Sequence, residues 1–531
     1  MSLLPLFLLG AIPTMATAID FNAQLEGLSP ERQAELQKEV KTAVDEIGAP
    51  GATAAIVIDG KLVAAVASGI RKVGSATALK VTDPMHIGSN TKGMTALAFA
   101  RLEQEKVLRW TMTLAQAFPR MASMNEAYLR VPLFELAYQR SGFPDSDIEA
   151  LMALDGLPVE EARARFAESI LSTPPEVVPG TDYRYRNGNY VVLGVAIEAA
   201  TSRSWEEIVR AEVFRPLGMK RAGFGPMGTG RDITVPWQHQ RIEGKLQPVY
   251  ADNPLFIGPA ATVHCSVLDL ANYAQAWVSG LQGDDSFLPR SAWKFLVTPP
   301  PRSEYACGVV VDGEEKDGVP DFWHNGSNTF SSSEWRVLEG GRLIVVGMLN
   351  AKSDRDSKLF HRLEDLGHKW LEATPRPAPA PLPDPSSEKL GENLLQGVRP
   401  VSLVDGNADA NLAVKPEGIR FDVVRPEEDA WQASLAFLAT GLQEGHRYLV
   451  SFDAKSAVAR KVDVASEQQD RPHDNCGLEA SFDCGTAWSS QRFTFTARSI
   501  TGGQVRVTIF FLGKEKGTFW CRNVRVSEML P

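Results

Sequence analysis

The chain of 531 residues is poor in cysteine, in histidine and in clustered positive charge. Its five cysteines, at 265, 307, 476, 484 and 521, form no C-x-x-C pair. Neither a zinc ribbon nor a thioredoxin-like dithiol is therefore supported, and nothing in the chain calls for a metal or another cofactor. Cys476 and Cys484 are close enough in sequence to close a small loop in an oxidising compartment, with all thiols reduced as the alternative. There is no long basic run, and 55 Lys and Arg against 65 Asp and Glu give a net charge of -10. Binding phosphates needs clustered cations, so nucleic acid and anionic membrane surfaces are excluded as default partners. No stretch reaches the roughly 18 apolar residues of a membrane-spanning helix.

What is present is ordinary globular composition, 44% apolar and 23% charged, over a length that predicts two or three domains. Residues 1–18, MSLLPLFLLGAIPTMATA, combine a short apolar stretch with the A-x-A-like site Ala16-Thr17-Ala18. They read as a secretory signal peptide, which predicts a secreted or periplasmic protein. No Lys or Arg precedes the apolar run, and a cytosolic tail is the alternative. Prolines at 375, 377, 379, 381, 383 and 385 predict an extended polyproline spacer over 373–390. The chain thus divides into a large N-terminal domain, 25–372, a semi-rigid linker, and a C-terminal domain, 391–531.

In the first domain, Ser29 as cap, Pro30 in the first turn and Gly48 at the end predict a helix. Asp59-Gly60 predicts a hairpin between two strands. A long helix follows Ser89, with Met94, Leu97, Ala98, Leu102 and Val107 at helical spacing. A mostly helical middle runs to about 285. Strand character returns in SSEWRV and RLIVVGML, before a last helix over 354–372. This order predicts one sheet built from both ends of the domain with a helical region inserted. In the C-terminal region RYLVSFDA, ARKVDVAS, SQRFTFTA, QVRVTIFFLG and FWCRNVRVS alternate in polarity or carry β-branched and aromatic residues, which predicts a β-sandwich.

Three short motifs carry chemistry. In Ser89-Asn90-Thr91-Lys92 the serine and lysine share a helix face, so the amine can reach the hydroxyl it must deprotonate. The helix N-terminus adds amide donors beside a developing oxyanion. The same S-x-x-K spacing occurs at Ser291–Lys294, where the serine looks like a helix cap, and at Ser386–Lys389 in the spacer. Ser89 is distinguished by the preceding Gly88 and the long apolar helix after it. The second motif is Tyr185-Arg186-Asn187: the phenol is a second base if cations such as Lys92 lower its pKa, and Asn187 can hold Lys92. A turn at Asn187-Gly188 is the plain alternative. The third is His324-Asn325-Gly326-Ser327, where a small residue lets substrate lie along a strand, a backbone amide opposes that of Ser89, and His324 stands by as donor or titrating group. His86-Ile87-Gly88 reads as lead-in structure to Ser89.

Taken in order, IGSNTKGMTALAFARL from 87, PGTDYRYRNGNYVVLGVAIE from 179, FRPLGMKRAGF from 214, GPAATVHCSVLDLANYA from 258 and WHNGS from 323 resemble the β-lactamase-related serine hydrolases. That group includes class C β-lactamases, D,D-peptidases, D-aminopeptidases and related esterases. The resemblance covers about 25–372 and implies an α/β (α+β) fold, an antiparallel sheet flanked by helices plus a helical region. It implies that Ser89 is acylated, that Lys92 and Tyr185 share the acid and base roles, and that Asn187 orients Lys92 and substrate. It makes the amides of Ser89 and Ser327 the oxyanion hole. The chain departs from the family pattern at His324, where class C β-lactamases have lysine. It departs again at Arg186, which binds an anionic group if it points into the cleft, and at Gln139 and Arg140. The C-terminal region, through DAWQASLAFLATGLQEGHRYLVSFDAKS and KGTFWCRNVRVS, resembles galactose-binding-like jelly rolls, including carbohydrate-binding modules of the family 4/9 type. This makes Trp431, Trp488 and Trp520 candidates for sugar contact, with a core position as the alternative for each, and a polysaccharide or cell-wall glycan a candidate partner. The expected activity is hydrolysis of an ester or amide in a small or peptide substrate through an acyl-enzyme. The alternatives are D,D-peptidase, D-aminopeptidase or β-lactamase-like activity, or a non-catalytic penicillin-binding-type sensor.

Overall fold

The computed structural model describes residues 20–529 except 146–153, 155, 233, 314, 317, 375–389, 396–398, 405–408, 416–417, 426–432, 469–474, 499, 501–503 and 511–515. The predicted signal segment, the proline-rich spacer with Ser386, and Trp431 lie outside the described residues. The chain divides into two compact units, Met1–Arg376 and Pro377–Pro531.

The first unit begins with α1, Pro30–Ile47, where Ser29 caps the Arg32 amide and Gly48 ends the helix in the left-handed region. Strands β1, Gly51–Ile58, and β2, Lys61–Gly69, form the hairpin expected from Asp59-Gly60. Both turn residues take positive φ, 48° and 73°. Helix α2, Thr91–Gln104, follows the Ser89 turn, and α3, Asn187–Thr201, opens on the second motif. After α4, Val267–Leu281, come β3, Val310–Val311, β4, Phe322–Ser327, β5, Ser332–Leu338, β6, Leu343–Leu349, and α5, Ser357–Glu372. The sheet has the order β2-β1-β6-β5-β4-β3, so the two ends of the unit meet at the antiparallel β1–β6 pair.

Both faces of this sheet are covered, which is why β1, apolar but for Thr53, is buried throughout rather than alternating. Ala52, Ala54 and Ile56 on β1, with Val345 on β6, face Leu36 and Val40 of α1 and Leu363 of α5. Ala55, Val57, Ile344 and Val346 face the helical region. There Trp277 of α4 packs against Trp293 and Trp335, with ring centroids 5.3 and 6.3 Å away. Helix α2 is buried on every side for its first ten residues, so its core runs around the helix and not along one stripe. It stops at Gln104, which leaves Val107 outside it and 40% exposed. Ser291 lies inside the helix Arg290–Leu296 and is not its cap, which is Pro289. The middle region also contains an antiparallel hairpin, Gln238–Ile242 with Lys245–Val249. Its strands are short and polar, and their sequence carries no apolar alternation. Among the described residues no helix is long and apolar enough to cross a membrane.

The second unit is strand-rich. Its strands are β7, Leu390–Asn393, β8, Val401–Val404, β9, Asp409–Lys415, β10, Gly418–Arg425, β11, Ala433–Thr440, and β12, Arg447–Ser456. They continue as β13, Arg460–Gln468, β14, Asn475–Cys484, β15, Ser489–Thr496, β16, Gln504–Phe510, and β17, Gly517–Met529. One sheet has the order β9-β10-β17-β12-β15, with β7 on β17; the other has the order β8-β11-β16-β13-β14. Phe421, Val450, Phe452 and Val526 of the first sheet share a core with Leu435, Val462, Val464 and Val507 of the second. Trp488 and Trp520 lie outside that core. The Lys455 ammonium stands 5.0 Å from each of their ring centroids, and the Arg522 guanidinium 4.4 Å from that of Trp488. All five cysteines are buried. The loop expected between Cys476 and Cys484 does not exist, because both lie on β14. Eight steps of about 3.3 Å hold them roughly 26 Å apart, far beyond disulfide reach.

Candidate functional site

Ser89 sits in a single 3-10 turn, Gly88–Asn90, that runs directly into α2. The turn exists because two glycines let backbone touch backbone. Gly88 has φ +52°, and a Cβ there would stand 2.3 Å from the Ser327 nitrogen. A Cβ on Gly326 would stand 2.0 Å from the Ile87 oxygen and 2.6 Å from the Ser89 nitrogen. No side chain fits either space, so β4 and the nucleophile turn are in direct main-chain contact. The remaining letters of the motif hold the turn. Asn90 donates to the Ile87 carbonyl at 3.2 Å and to Ser333 Oγ at 2.8 Å. Thr91 Oγ1 donates to the Gly88 carbonyl at 2.7 Å and accepts from the Val263 amide at 3.1 Å.

One turn along α2, Lys92 is fully buried. Its Nζ donates to Ser89 Oγ at 3.0 Å, to Asn187 Oδ1 at 2.8 Å and to the Ala260 carbonyl at 3.1 Å. Loss of hydration disfavours the ammonium and brings the pKa down to about 7. Near neutral pH a large share of Lys92 is thus a free amine hydrogen-bonded to the serine it would deprotonate. Asn187 is the first residue of α3. Asn187-Gly188 therefore opens a helix instead of forming a free turn, and Gly188 packs where a Cβ would meet the Ile170 side chain at 2.6 Å.

Tyr185 presents its hydroxyl to Ser89 and its ring to Lys92, whose Nζ lies 4.7 Å from the ring centroid. Although 36% of the residue is exposed, burial of the phenol raises its pKa above the ordinary value, against the lowering effect of the Ser89 hydrogen bond. This reverses the expectation that Lys92 lowers it: desolvation dominates, and Tyr183 adds to the rise. Tyr185 is therefore a protonated phenol in the resting site. His324, on β4, is also not a titrating group near neutral pH. Burial first, then the Lys92 charge, push it down to about 3. Its Nδ1 faces the Asn325 carbonyl at 2.6 Å, which places the ring proton there. Its Nε2 accepts from the Tyr305 hydroxyl at 3.3 Å.

The departures from the family pattern now have physical roles. Arg186 is paired with carboxylates of the chain itself: its guanidinium meets Glu176 at 2.8 Å and Asp145 at 3.5 Å. Arg140 is drawn to Glu135 at 3.5 Å. Gln139, fully buried at φ 60°, is the residue whose role sequence reasoning did not supply. Its Oε1 accepts from the Arg186 amide at 2.9 Å and from Asn189 Nδ2 at 2.6 Å, and its carbonyl accepts from the Arg184 amide at 2.8 Å. It pins both sides of Tyr185 and the start of α3. The Ala260 carbonyl and Tyr305 were also missed; a main-chain acceptor leaves no trace in residue type. The site thus brings together Ser89, Lys92, Tyr185, Asn187, His324, Gly326 and Ser327. Among the described residues no group of three or more His, Cys, Asp and Glu side chains forms a metal site.

This arrangement agrees with the similarities of the chain. The family model described as Beta-lactamase matches residues 36–367. Penicillin-binding protein 4 of Amycolatopsis lactamdurans is 25% identical over 321 residues, 57% of this chain and 81% of that protein. Protein flp of Staphylococcus aureus (strain MW2) is 26% identical over 323 residues, and the match spans 59% of this chain and 62% of flp. The structure of a D-stereospecific amidohydrolase from Streptomyces sp. shares the fold with a TM-score of 0.51 at 21% identity, covering 62% of this chain and 98% of that one. A family match over well more than half of the chain, enclosing all three motifs, makes this protein a member of the β-lactamase family of serine hydrolases.

Proposed function

We propose that the protein hydrolyses amides or esters through an acyl-enzyme on Ser89, with Lys92 as the base in the first step. The observation that carries this reading is the 3.0 Å contact between a fully desolvated Lys92 amine and Ser89 Oγ. The serine oxygen attacks the carbonyl carbon and its proton passes to Lys92 Nζ. The negative charge on the former carbonyl oxygen is received by the amides of Ser89 and Ser327. As the C–N or C–O bond breaks, the leaving atom takes a proton from the Tyr185 phenol, which Lys92 re-protonates. Water then attacks the acyl ester and releases the acid. Asn187 keeps the Lys92 amine aimed at Ser89 throughout.

The site favours substrates whose recognition does not depend on a carboxylate beside the scissile bond. His324 is neutral where a lysine would bind that group, and Arg186 is held by Glu176 and Asp145. D-amino-acid amides, short peptides and esters fit this better than β-lactams, and the amidohydrolase neighbour supports the amide side of the reading. The substrate side chain has a place to go. A cavity of about 530 Å³ is lined by Tyr183, Tyr305 and Val310, with Arg302, Ser303 and Glu304 beside them. It adjoins the catalytic group, because the Tyr305 ring lies 5.9 Å from that of Tyr185 and 5.6 Å from that of Tyr183. Removing one aromatic wall should cost bulky acyl groups most. Tyr183→Ala is expected to lower kcat/KM for a phenylacetyl p-nitrophenyl ester by about tenfold relative to the acetyl ester. Equal effects on both esters would place the acyl group elsewhere. The penicillin-binding relatives favour a second reading, D,D-peptidase action on a terminal D-Ala-D-Ala. Hydrolysis of D-Ala-D-Ala peptides faster than of D-amino-acid amides would establish it over the first.

A further inference from the structure

We propose that Asp252 is a positioning residue for the oxyanion hole, clamping both of its strands through one carboxylate oxygen. This rests on the acyl-enzyme reading above but uses residues that the mechanism does not. His86 is fully buried, and its Nε2 lies 2.8 Å from Oδ1 of Asp252, whose side chain is 3% exposed. On the other side of the ring, His86 Nδ1 accepts from the Gly88 amide at 3.0 Å. Since Nδ1 is an acceptor, the ring proton is on Nε2, whose contact with Asp252 at 2.8 Å is electrostatic and not an aligned hydrogen bond. Through this contact Asp252 steadies the ring that accepts from the amide immediately before Ser89. The same Oδ1 accepts from Asn328 Nδ2 at 3.1 Å, and Asn328 immediately follows Ser327. Asn328 is itself held: Nδ2 also donates to Gln238 Oε1 at 2.6 Å, and its Oδ1 accepts from Ser331 Oγ at 2.9 Å. The Asn253 amide completes the set at 2.7 Å.

One oxygen atom thus ties the residue before the first amide to the residue after the second. Between the ties, Gly88 and Gly326 hold the two strands in contact. An oxyanion hole needs its donors placed to within about 0.5 Å, and a 1 Å error can cost about 100-fold in rate. A buried carboxylate is an expensive way to join two loops. What it supplies is a single oxygen that accepts from Asn328 and the Asn253 amide and meets the His86 ring at the same time.

The test compares wild type, Asp252→Ala, Asp252→Asn and Asn328→Ala in full-length protein. It uses p-nitrophenyl acetate turnover and inhibition by phenylboronic acid, whose tetrahedral adduct on Ser89 carries an oxygen between the two amides. Asp252→Ala should lower kcat by about 10- to 100-fold and weaken boronate inhibition in step, with KM within about twofold. Asp252→Asn, which keeps an acceptor at the Oδ1 position, should recover most of the loss. Asn328→Ala cuts one tie and should lower kcat by about tenfold, and it decides the matter if Asp252→Ala does not fold. A lowered melting temperature in Asp252→Ala with unchanged kcat and boronate affinity would overturn the clamp, as would Asp252→Asn being as slow as Asp252→Ala. A wild type with neither turnover nor boronate binding would instead remove the acyl-enzyme reading and the clamp with it.

Discussion

Lys92→Met should lose about 10³-fold in kcat/KM while remaining at least as stable as the wild type. The two outcomes have one cause. Burial makes the ammonium costly, and bringing its pKa down from 10.5 to about 7 corresponds to roughly 4 kcal/mol at neutral pH. Methionine fills similar volume without that cost. Against this stand the three hydrogen bonds Lys92 makes to Ser89, Asn187 and Ala260, each contributing about 1 kcal/mol. The pH dependence follows with a definite sign. With the amine as the proposed base, kcat/KM of the wild type should fall as pH drops through about 7. Between about 7 and 10.5 the unfolded chain holds a proton on this lysine that the folded chain has released, so the lysine's contribution to stability rises with pH across that window. Both dependences should vanish in Lys92→Met. An unchanged acid limb in that variant would assign the base to another group.

Gly326→Ala is expected to lower kcat by about 100- to 1,000-fold with the fold retained. The added carbon would stand 2.0 Å from the Ile87 oxygen and 2.6 Å from the Ser89 nitrogen. Both neighbours are main chain and cannot rotate away, so β4 and the nucleophile turn must separate. That displacement falls on the two amides proposed to receive the oxyanion. Overpacking should cost about 1–3 kcal/mol as well, read as a lower melting temperature. Gly27→Ala is the control: a Cβ there meets nothing within 4 Å, and activity should not change. If Gly326→Ala keeps wild-type kcat, the two strands do not form the hole.

Most of the scaffold was legible because its signals are local. Ser29, Pro30 and Gly48 mark a helix by capping chemistry, and Asp59-Gly60 marks a hairpin by its need for positive φ. The two-ended sheet followed from element order, and Ser89, Lys92, Tyr185 and Asn187 followed from motifs whose spacing has a chemical reason. What was not legible is set by partners distant in sequence. Whether Arg186 enters the cleft depends on Glu176 and Asp145. Gln139 acts through the backbone of Arg184 and Arg186, and Asp252 through His86 and Asn328. Burial is equally invisible in one dimension. It drives Lys92 down, Tyr185 up and His324 out of the titrating range, and so supports the proposed division into one base and one acid where the motifs alone left both roles shared. The cysteine pairing failed for a simple geometric reason: closeness in sequence along an extended strand is distance in space.

The most direct measurement is peptide mapping by mass spectrometry after reaction with a fluorophosphonate, in wild type and Ser89→Ala. One adduct per chain on the peptide containing Ser89, absent from Ser89→Ala and slowed strongly in Lys92→Met, is the predicted result. A wild type that stays unlabelled and cleaves no ester or amide, or an adduct on a different serine such as Ser291, would contradict it.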